Sequence, residues 1–207
     1  MAKEGILLVL SGPSGAGKGT ICQELLRTNP DLHYSISATT RKARVGEVHG
    51  INYWYVSQEE FQNMIKNDEL LEWAEVYGNF YGTPCRKVKE LLEKGKDVVL
   101  EIDTQGARQI KKKFPQGVFV YIAPPSLDEL ANRIYKRATD SLEAIKKRLS
   151  CVTNELSYVH NYNYVVINDE VQVATNKVAA IIMAEKCQVA RNGNVVKEIM
   201  ENMYKTN

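Results

Sequence analysis

The 207-residue sequence predicts an α/β fold: a three-layer core in which a parallel sheet is flanked by helices. Three observations carry this expectation. Short continuous apolar runs recur along the chain, as in strands buried on both faces. Helical segments separate the runs. A glycine-rich stretch lies between the first run and the first helix. The first strand is Gly5 to Ser11 and the first helix Thr20 to Arg27. A second strand is expected at Asp97 to Asp103, a third at Gly117 to Ile122 before Pro124-Pro125, and a fourth at Tyr164 to Ile167. The connecting helices are Pro84 to Lys94, stopped by Gly95, then Thr104 to Lys113, Ser126 to Arg137 and Val171 to Arg191. Leu127, Leu130, Ala131 and Ile134 form one stripe, the spacing of a helix with a single buried face.

Two stretches break the alternation. Between about Tyr34 and Tyr81, short aromatic and Ser/Thr-rich strand-like pieces surround one helix. That helix opens on the capping box Ser57-Gln58-Glu59-Glu60 ahead of Phe61, Met64 and Ile65. This stretch reads as an inserted α+β subdomain. The second, Arg137 to Ser141, lies in a basic segment and leads into a helix from Leu142 to Ser157. No repeat or flexible linker divides the chain, so a single domain is expected.

Composition removes several classes of function. The 27 Lys and Arg against 25 Asp and Glu give a net charge of +2, unlike the strongly basic balance of a dedicated nucleic-acid binder. The Lys111-Lys112-Lys113 run reads as a solvated helix end favoured by the helix dipole. The longest apolar run, Gly5 to Leu10, is far short of the ~20 residues a membrane helix needs. The start, Met1-Ala2-Lys3-Glu4, lacks the pattern of a signal peptide, so the expected location is cytoplasmic. Cys22, Cys85, Cys151 and Cys187 form no Cys-x-x-Cys pair, and His33, His49 and His160 do not complete a metal site with them. Free thiols are expected.

The chemistry begins at Gly12-Pro13-Ser14-Gly15-Ala16-Gly17-Lys18-Gly19-Thr20, directly between a buried strand and a helix. That is the context of a phosphate-binding loop, or P-loop. Its glycines let successive N–H groups turn inward around an anion, the helix N-terminus adds positive partial charge, and Lys18 reaches the outer phosphates. The residue after Lys18 is Gly19, so the hydroxyl that usually follows the lysine arrives one position later, at Thr20. At the end of the second strand, Glu101 and Asp103 stand where ligands of open α/β sheets collect. Alternation sets them on the same side, one to help hold a hydrated Mg²⁺ and the other to contact substrate.

Further motifs turn the phosphate site into a specific expectation. Ser37-Ala38-Thr39-Thr40-Arg41-Lys42-Ala43-Arg44-Val45-Gly46-Glu47, Tyr53, Leu71-Glu72-Trp73, Tyr81-Gly82-Thr83 and Glu101-Ile102-Asp103-Thr104-Gln105-Gly106 together closely resemble the guanylate kinase family. With Arg137 to Arg148 and Ile167-Asn168-Asp169, the resemblance covers nearly the whole chain. It implies ATP-dependent phosphorylation of GMP, and of dGMP, with Mg²⁺ bridging the ATP phosphates. By the same resemblance Arg41, Arg44, Tyr53 and Tyr81 bind the GMP phosphate, while Ser37, Glu72, Thr83 and Asp103 select the base. Arg137 and Arg148 belong to a lid over the ATP phosphates, Asn168 contacts adenine, and Thr20 and Glu101 serve the metal, Glu101 through water. The corresponding layout is a core at about 1–33, 84–136 and 158–207, a GMP-binding subdomain at about 34–83 and a lid at about 137–157. Lys18, Arg41, Arg137 and Arg148 would carry the transfer.

The side chains suit these roles. Guanidinium forks match phosphate oxygens, and phenols add neutral donors. Guanine presents a ring N–H and an NH₂ group to a carboxylate such as Glu72, with its carbonyl free for Ser37 or Thr83. Adenine would offer that carboxylate an acceptor instead. One rival reading is a kinase of another monophosphate. A second is a non-catalytic interaction module of the same fold, which the intact Gly12 to Lys18 loop disfavours. Whether the chain is a monomer or a homo-oligomer is not legible in the sequence.

Overall fold

The computed structural model describes residues 4–76, 78–136, 150, 152 and 155–205. Five parallel strands form the main sheet in the order β2-β7-β1-β8-β9. They are β1 (Leu7–Ser11), β2 (Leu32–Tyr34), β7 (Asp97–Glu101), β8 (Val118–Ala123) and β9 (Tyr164–Ile167). The central strand β1 is buried throughout, which explains its unbroken apolar run. Its alternate side chains serve opposite faces. Leu8 and Leu10 pack with Ile21, Cys22 and Leu25 of α1 (Lys18–Thr28) and with Ala174, Val178 and Ile182 of α6 (Val171–Lys186). Leu7 and Val9 pack with Val88 and Leu92 of α3 (Cys85–Glu93) and with Ala107 and Ile110 of α4 (Thr104–Lys113).

Register brings the chemistry to one edge. Leu10 pairs with Glu101 on one side of β1, and Ser11 pairs with Tyr121 on the other, so the carboxyl ends of three strands finish side by side. The inserted stretch builds a second sheet, in the order β4-β3-β6-β5, from β3 (Ala38–Thr39), β4 (Trp54–Tyr55), β5 (Leu70–Val76) and β6 (Asn79–Pro84). Its helix α2 (Gln58–Lys66) starts on the expected capping box: Glu60 N donates to Ser57 Oγ at 3.1 Å, and Ser57 N donates to Glu60 Oε2 at 2.6 Å. Ala38, Phe61 and Leu70 form a small core of their own, supported by Phe80.

The two sheets are fastened through α4. Gln109 treats the edge of β5 as a neighbouring strand would, accepting from Trp73 N at 3.2 Å and donating to Trp73 O at 2.6 Å. This bond fixes the residue next to Glu72.

Four expectations are corrected. Leu32–Tyr34 is a strand, paired with β7 from Leu32↔Asp97 to Tyr34↔Val99; three residues of Leu-His-Tyr carry no readable period. The second strand ends at Glu101, and Asp103 instead caps α4, accepting from Gln105 N at 2.7 Å and Gly106 N at 2.8 Å. The first helix begins at Lys18, two residues before Thr20. The final helix is two, α6 and α7 (Val189–Lys205), and Asn192 Nδ2 satisfies the freed Lys186 and Gln188 carbonyls at the break. Helix α5 (Leu127–Lys136) buries Leu130 and Ile134 of the expected stripe but leaves Leu127 exposed at its first position, with Ser126 Oγ accepting from Glu129 N at 3.0 Å. Cys22, Cys85 and Cys187 are free thiols. Among the described residues no helix is long and apolar enough to cross a membrane.

Candidate functional site

The phosphate loop follows β1 because the strand ends in a residue needing a sharp reversal. Gly12 has φ 143°, and a Cβ there would lie 2.2 Å from Ile122 O, so the position admits only glycine. Gly17, at φ 86°, is the N-cap of α1, and a Cβ on it would strike Asn168 Nδ2 at 2.2 Å. Lys18 folds back over the loop, with Nζ donating to Gly12 O at 2.7 Å and Pro13 O at 3.1 Å.

Asn168 sits behind the loop. Its Nδ2 donates to Ala16 O at 2.7 Å and its backbone N to Ala123 O at 2.8 Å, which ties the end of β9 to the loop. Its backbone O accepts from Arg133 Nη1 at 3.0 Å, and Arg133 is braced by Glu129 at 2.9 Å. The side chain is 2% exposed, so its amide braces the loop. Asn168→Ala is expected to weaken ATP binding about tenfold while GMP binding stays constant, read by calorimetry with each nucleotide.

The inserted stretch brings a second group of basic and phenolic side chains together. Arg41 is held by Glu47 through two bonds, Nη1 to Oε2 at 3.0 Å and Nη2 to Oε1 at 2.9 Å, and lies 5.4 Å from the Tyr53 ring centroid. Glu47 also accepts from Tyr55 Oη and Arg44 N, each at 2.8 Å. The hydrogen bonds from Arg41 above all hold its carboxyl down to about 2 despite partial burial. Tyr53 and Tyr81 meet edge to face at 5.9 Å. Burial pushes the Tyr53 phenol up to about 12, so it remains a neutral donor.

Deeper in, Glu72 is 4% exposed and accepts from Thr83 Oγ1 at 2.6 Å through Oε1. Desolvation pushes its carboxyl up to about 8, opposed by the Thr83 bond and aided by nearby Asp103. Ser37 is also buried, and its backbone O accepts from Trp54 N. One cleft of about 240 Å³ joins these parts. It is lined by Gly12, Ser14 and Lys18 of the loop, by Ser37, Arg44, Tyr53, Glu72 and Tyr81 of the inserted stretch, and by Glu101 and Asp103.

For a metal, the described residues hold no group of three or more His, Cys, Asp or Glu. Glu101 lies against the start of α1, where a Cβ on Gly19 would meet its two oxygens at 3.3 and 3.4 Å. Thr20 is exposed on the first turn. One carboxylate and one hydroxyl beside a phosphate loop fit Mg²⁺, which keeps water and phosphate oxygens as most of its ligands. Arg137 and Arg148 lie outside the described residues.

Several site residues escaped sequence reasoning. Glu47 stands in the sequence only as the end of a motif, and Arg133 carries no signal beyond its place in a helical segment. Glu155, half-buried in the same cleft, is raised by desolvation and lowered by Lys18. Tyr162 donates to Ser11 Oγ at 2.9 Å from 151 residues away. No local pattern announces contacts of that range.

Known proteins can be set beside this geometry. The family model described as guanylate kinase matches residues 4–185. A guanylate kinase of Desulfitobacterium hafniense is 56% identical over 195 residues, covering 94% of this chain and 98% of its own. One from Caldanaerobacter subterraneus subsp. tengcongensis is 58% identical over 199 residues, covering 96% and 97%. The crystal structure of guanylate kinase from Anaplasma phagocytophilum superposes with a TM-score of 0.78 at 35% identity, covering 91% of this chain and 90% of that one.

Proposed function

The chain belongs to the guanylate kinase family, and from that premise we propose that it transfers the γ-phosphoryl group of ATP to GMP, and to dGMP, giving the diphosphate and ADP. The observation that carries the reading is one cleft lined by both Lys18 and Glu72, the carboxylate that Thr83 holds. Arg44, Tyr53 and Tyr81 line the same cleft and bring donors for an anion.

Guanine enters with its ring N–H and NH₂ toward Glu72 and Asp103. The Thr83 hydroxyl donates its hydrogen bond to Glu72, which leaves Ser37 to donate to the guanine carbonyl. Tyr53, Tyr81, Arg44 and Arg41 take the GMP phosphate, with Arg41 oriented by Glu47. The ATP phosphates lie in the Gly12, Pro13, Ser14, Gly15, Ala16, Gly17 loop and on the N–H groups of Lys18, Gly19 and Thr20, where Lys18 exchanges loop carbonyls for phosphate oxygen. Thr20 and Glu101 would hold Mg²⁺, Glu101 through water, and the ion would supply neutralisation of charge on the ATP phosphates. The GMP phosphate is largely ionised at neutral pH, so alignment and charge compensation by Lys18, Arg41 and the lid residues Arg137 and Arg148 suffice without a general base.

The insert at about 34–83 and the lid at about 137–157 are proposed as the moving parts, whose closure over the core excludes water. A cytoplasmic location is proposed with them. The test is an ADP-release assay with GMP, dGMP, AMP, CMP and UMP. GMP is expected to exceed AMP in kcat/KM by about 10⁴-fold, as for a site built around hydrogen bonds the wrong base cannot make. Faster turnover of AMP or UMP would overturn the assignment of Glu72.

A further inference from the structure

Gly106 occupies the first turn of α4 with an ordinary negative φ, so its backbone does not call for glycine. Glycine in a helix costs about 1 kcal/mol relative to alanine. Something outside the helix must keep the position bare. A Cβ built on Gly106 would lie 2.3 Å from Glu72 Oε2 and 2.9 Å from its Cδ. The other oxygen, Oε1, is held by Thr83 at 2.6 Å. The carboxylate is therefore caught between a hydroxyl and bare helix backbone.

It has no room to retreat with its strand. Gln109, one turn further along α4, binds both the N–H and the carbonyl of Trp73, the residue after Glu72. Lys113 on the same helix donates to Leu70 O at 3.4 Å. A methyl group on Gly106 therefore meets a fixed backbone and a movable carboxylate, and the carboxylate yields. The direction open to it is the cleft that Glu72 already lines.

We propose that Gly106 is a positioning residue for base selection, its missing side chain being what lets Glu72 sit low enough to take both guanine donors. The inference rests on the reading of Glu72 as the guanine acceptor. A displaced carboxylate loses Thr83 and meets the base at the wrong height, so it forfeits the contact to the 2-amino group first. Inosine monophosphate, which has the ring N–H and lacks that amino group, reports this loss.

The experiment uses the full chain and Gly106→Ala, alone and with Glu72→Ala. For Gly106→Ala, KM for GMP is expected to rise about 10- to 100-fold, the loss of one or two hydrogen bonds to a buried charge, with KM for ATP within about twofold. The preference for GMP over inosine monophosphate should shrink by a similar factor. In the Glu72→Ala background the same substitution should leave GMP affinity unchanged and raise the thermal midpoint. Pairing Gly106→Ala with Glu72→Asp, one methylene shorter, should restore part of the preference. Equal losses in both backgrounds, a matching rise in KM for ATP, or unaltered GMP affinity would each make Gly106 a packing residue and overturn the inference. If Gly106→Ala alone does not fold, folding of the double variant supports the conflict with Glu72, and failure of both overturns it. Failure of the underlying reading looks different: the unaltered protein would then not prefer GMP to AMP.

Discussion

Lys18→Ala is expected to lower kcat for GMP phosphorylation on the order of 10³-fold, the scale of losing one preorganised charge at the reacting phosphoryl group. This ammonium lies on the Gly12 and Pro13 carbonyls, where the outer phosphates would compete for it. GMP affinity should hardly change, because Glu72, Thr83 and the Arg41–Glu47 pair stand on the insert. Steady-state ADP release and GMP calorimetry separate the two effects. Unchanged turnover would remove the loop from the mechanism and favour a non-catalytic module built on the same fold.

Glu72→Gln should change both the pH dependence and the base preference. In the free protein, desolvation pushes the Glu72 carboxyl up to about 8, and only the ionised form can accept both guanine donors. KM for GMP is therefore expected to climb as pH falls below about 8, by up to tenfold per unit. The GMP phosphate titrates near pH 6 and contributes a slope of its own. Glu72→Gln keeps that slope and loses the one near 8, so the difference between the two profiles isolates the carboxylate. At pH 8 the variant should bind GMP about 10²-fold more weakly, since an amide accepts one donor and opposes the other.

Stability should move the other way. The folded-state value lies above the unfolded one near 4.5, so burial of Glu72 is tolerated in full below that point and becomes costly as pH rises from 4.5 through 8. Without nucleotide, the thermal midpoint of Glu72→Gln should overtake that of the parent protein across this window. A parent KM for GMP that is flat between pH 7 and 9 would contradict the assignment.

Those two residues also mark how much of the site was legible. Lys18 was readable outright, because a phosphate loop is local: strand, glycines, lysine and helix follow one another within 24 residues of chain, from Gly5 to Thr28. Glu72 became a base-reading residue only through a family motif. Between Leu71 and Trp73 its chemistry is indistinguishable from the outward position of any strand. Glu47 illustrates the same limit, since its grip on Arg41 depends on a loop whose shape no periodicity encodes.

What the sequence by itself determined is whatever repeats or signals over a few residues: the buried strands, the helix stripes, the Ser57 capping box, the loop from Gly12 to Thr20 and the existence of an insert. Apolar period and turn chemistry are set by neighbours in the chain. Only the tertiary structure decided which polar groups share a proton or an ion pair. Thr83 meets Glu72 across two strands, Asn168 meets Ala16 across 152 positions, and Gly106 of a helix leaves space for a carboxylate on a strand of the second sheet. Such contacts depend on backbone distances of a few ångströms between elements that packing alone brings together, and spacing along the chain carries no record of them.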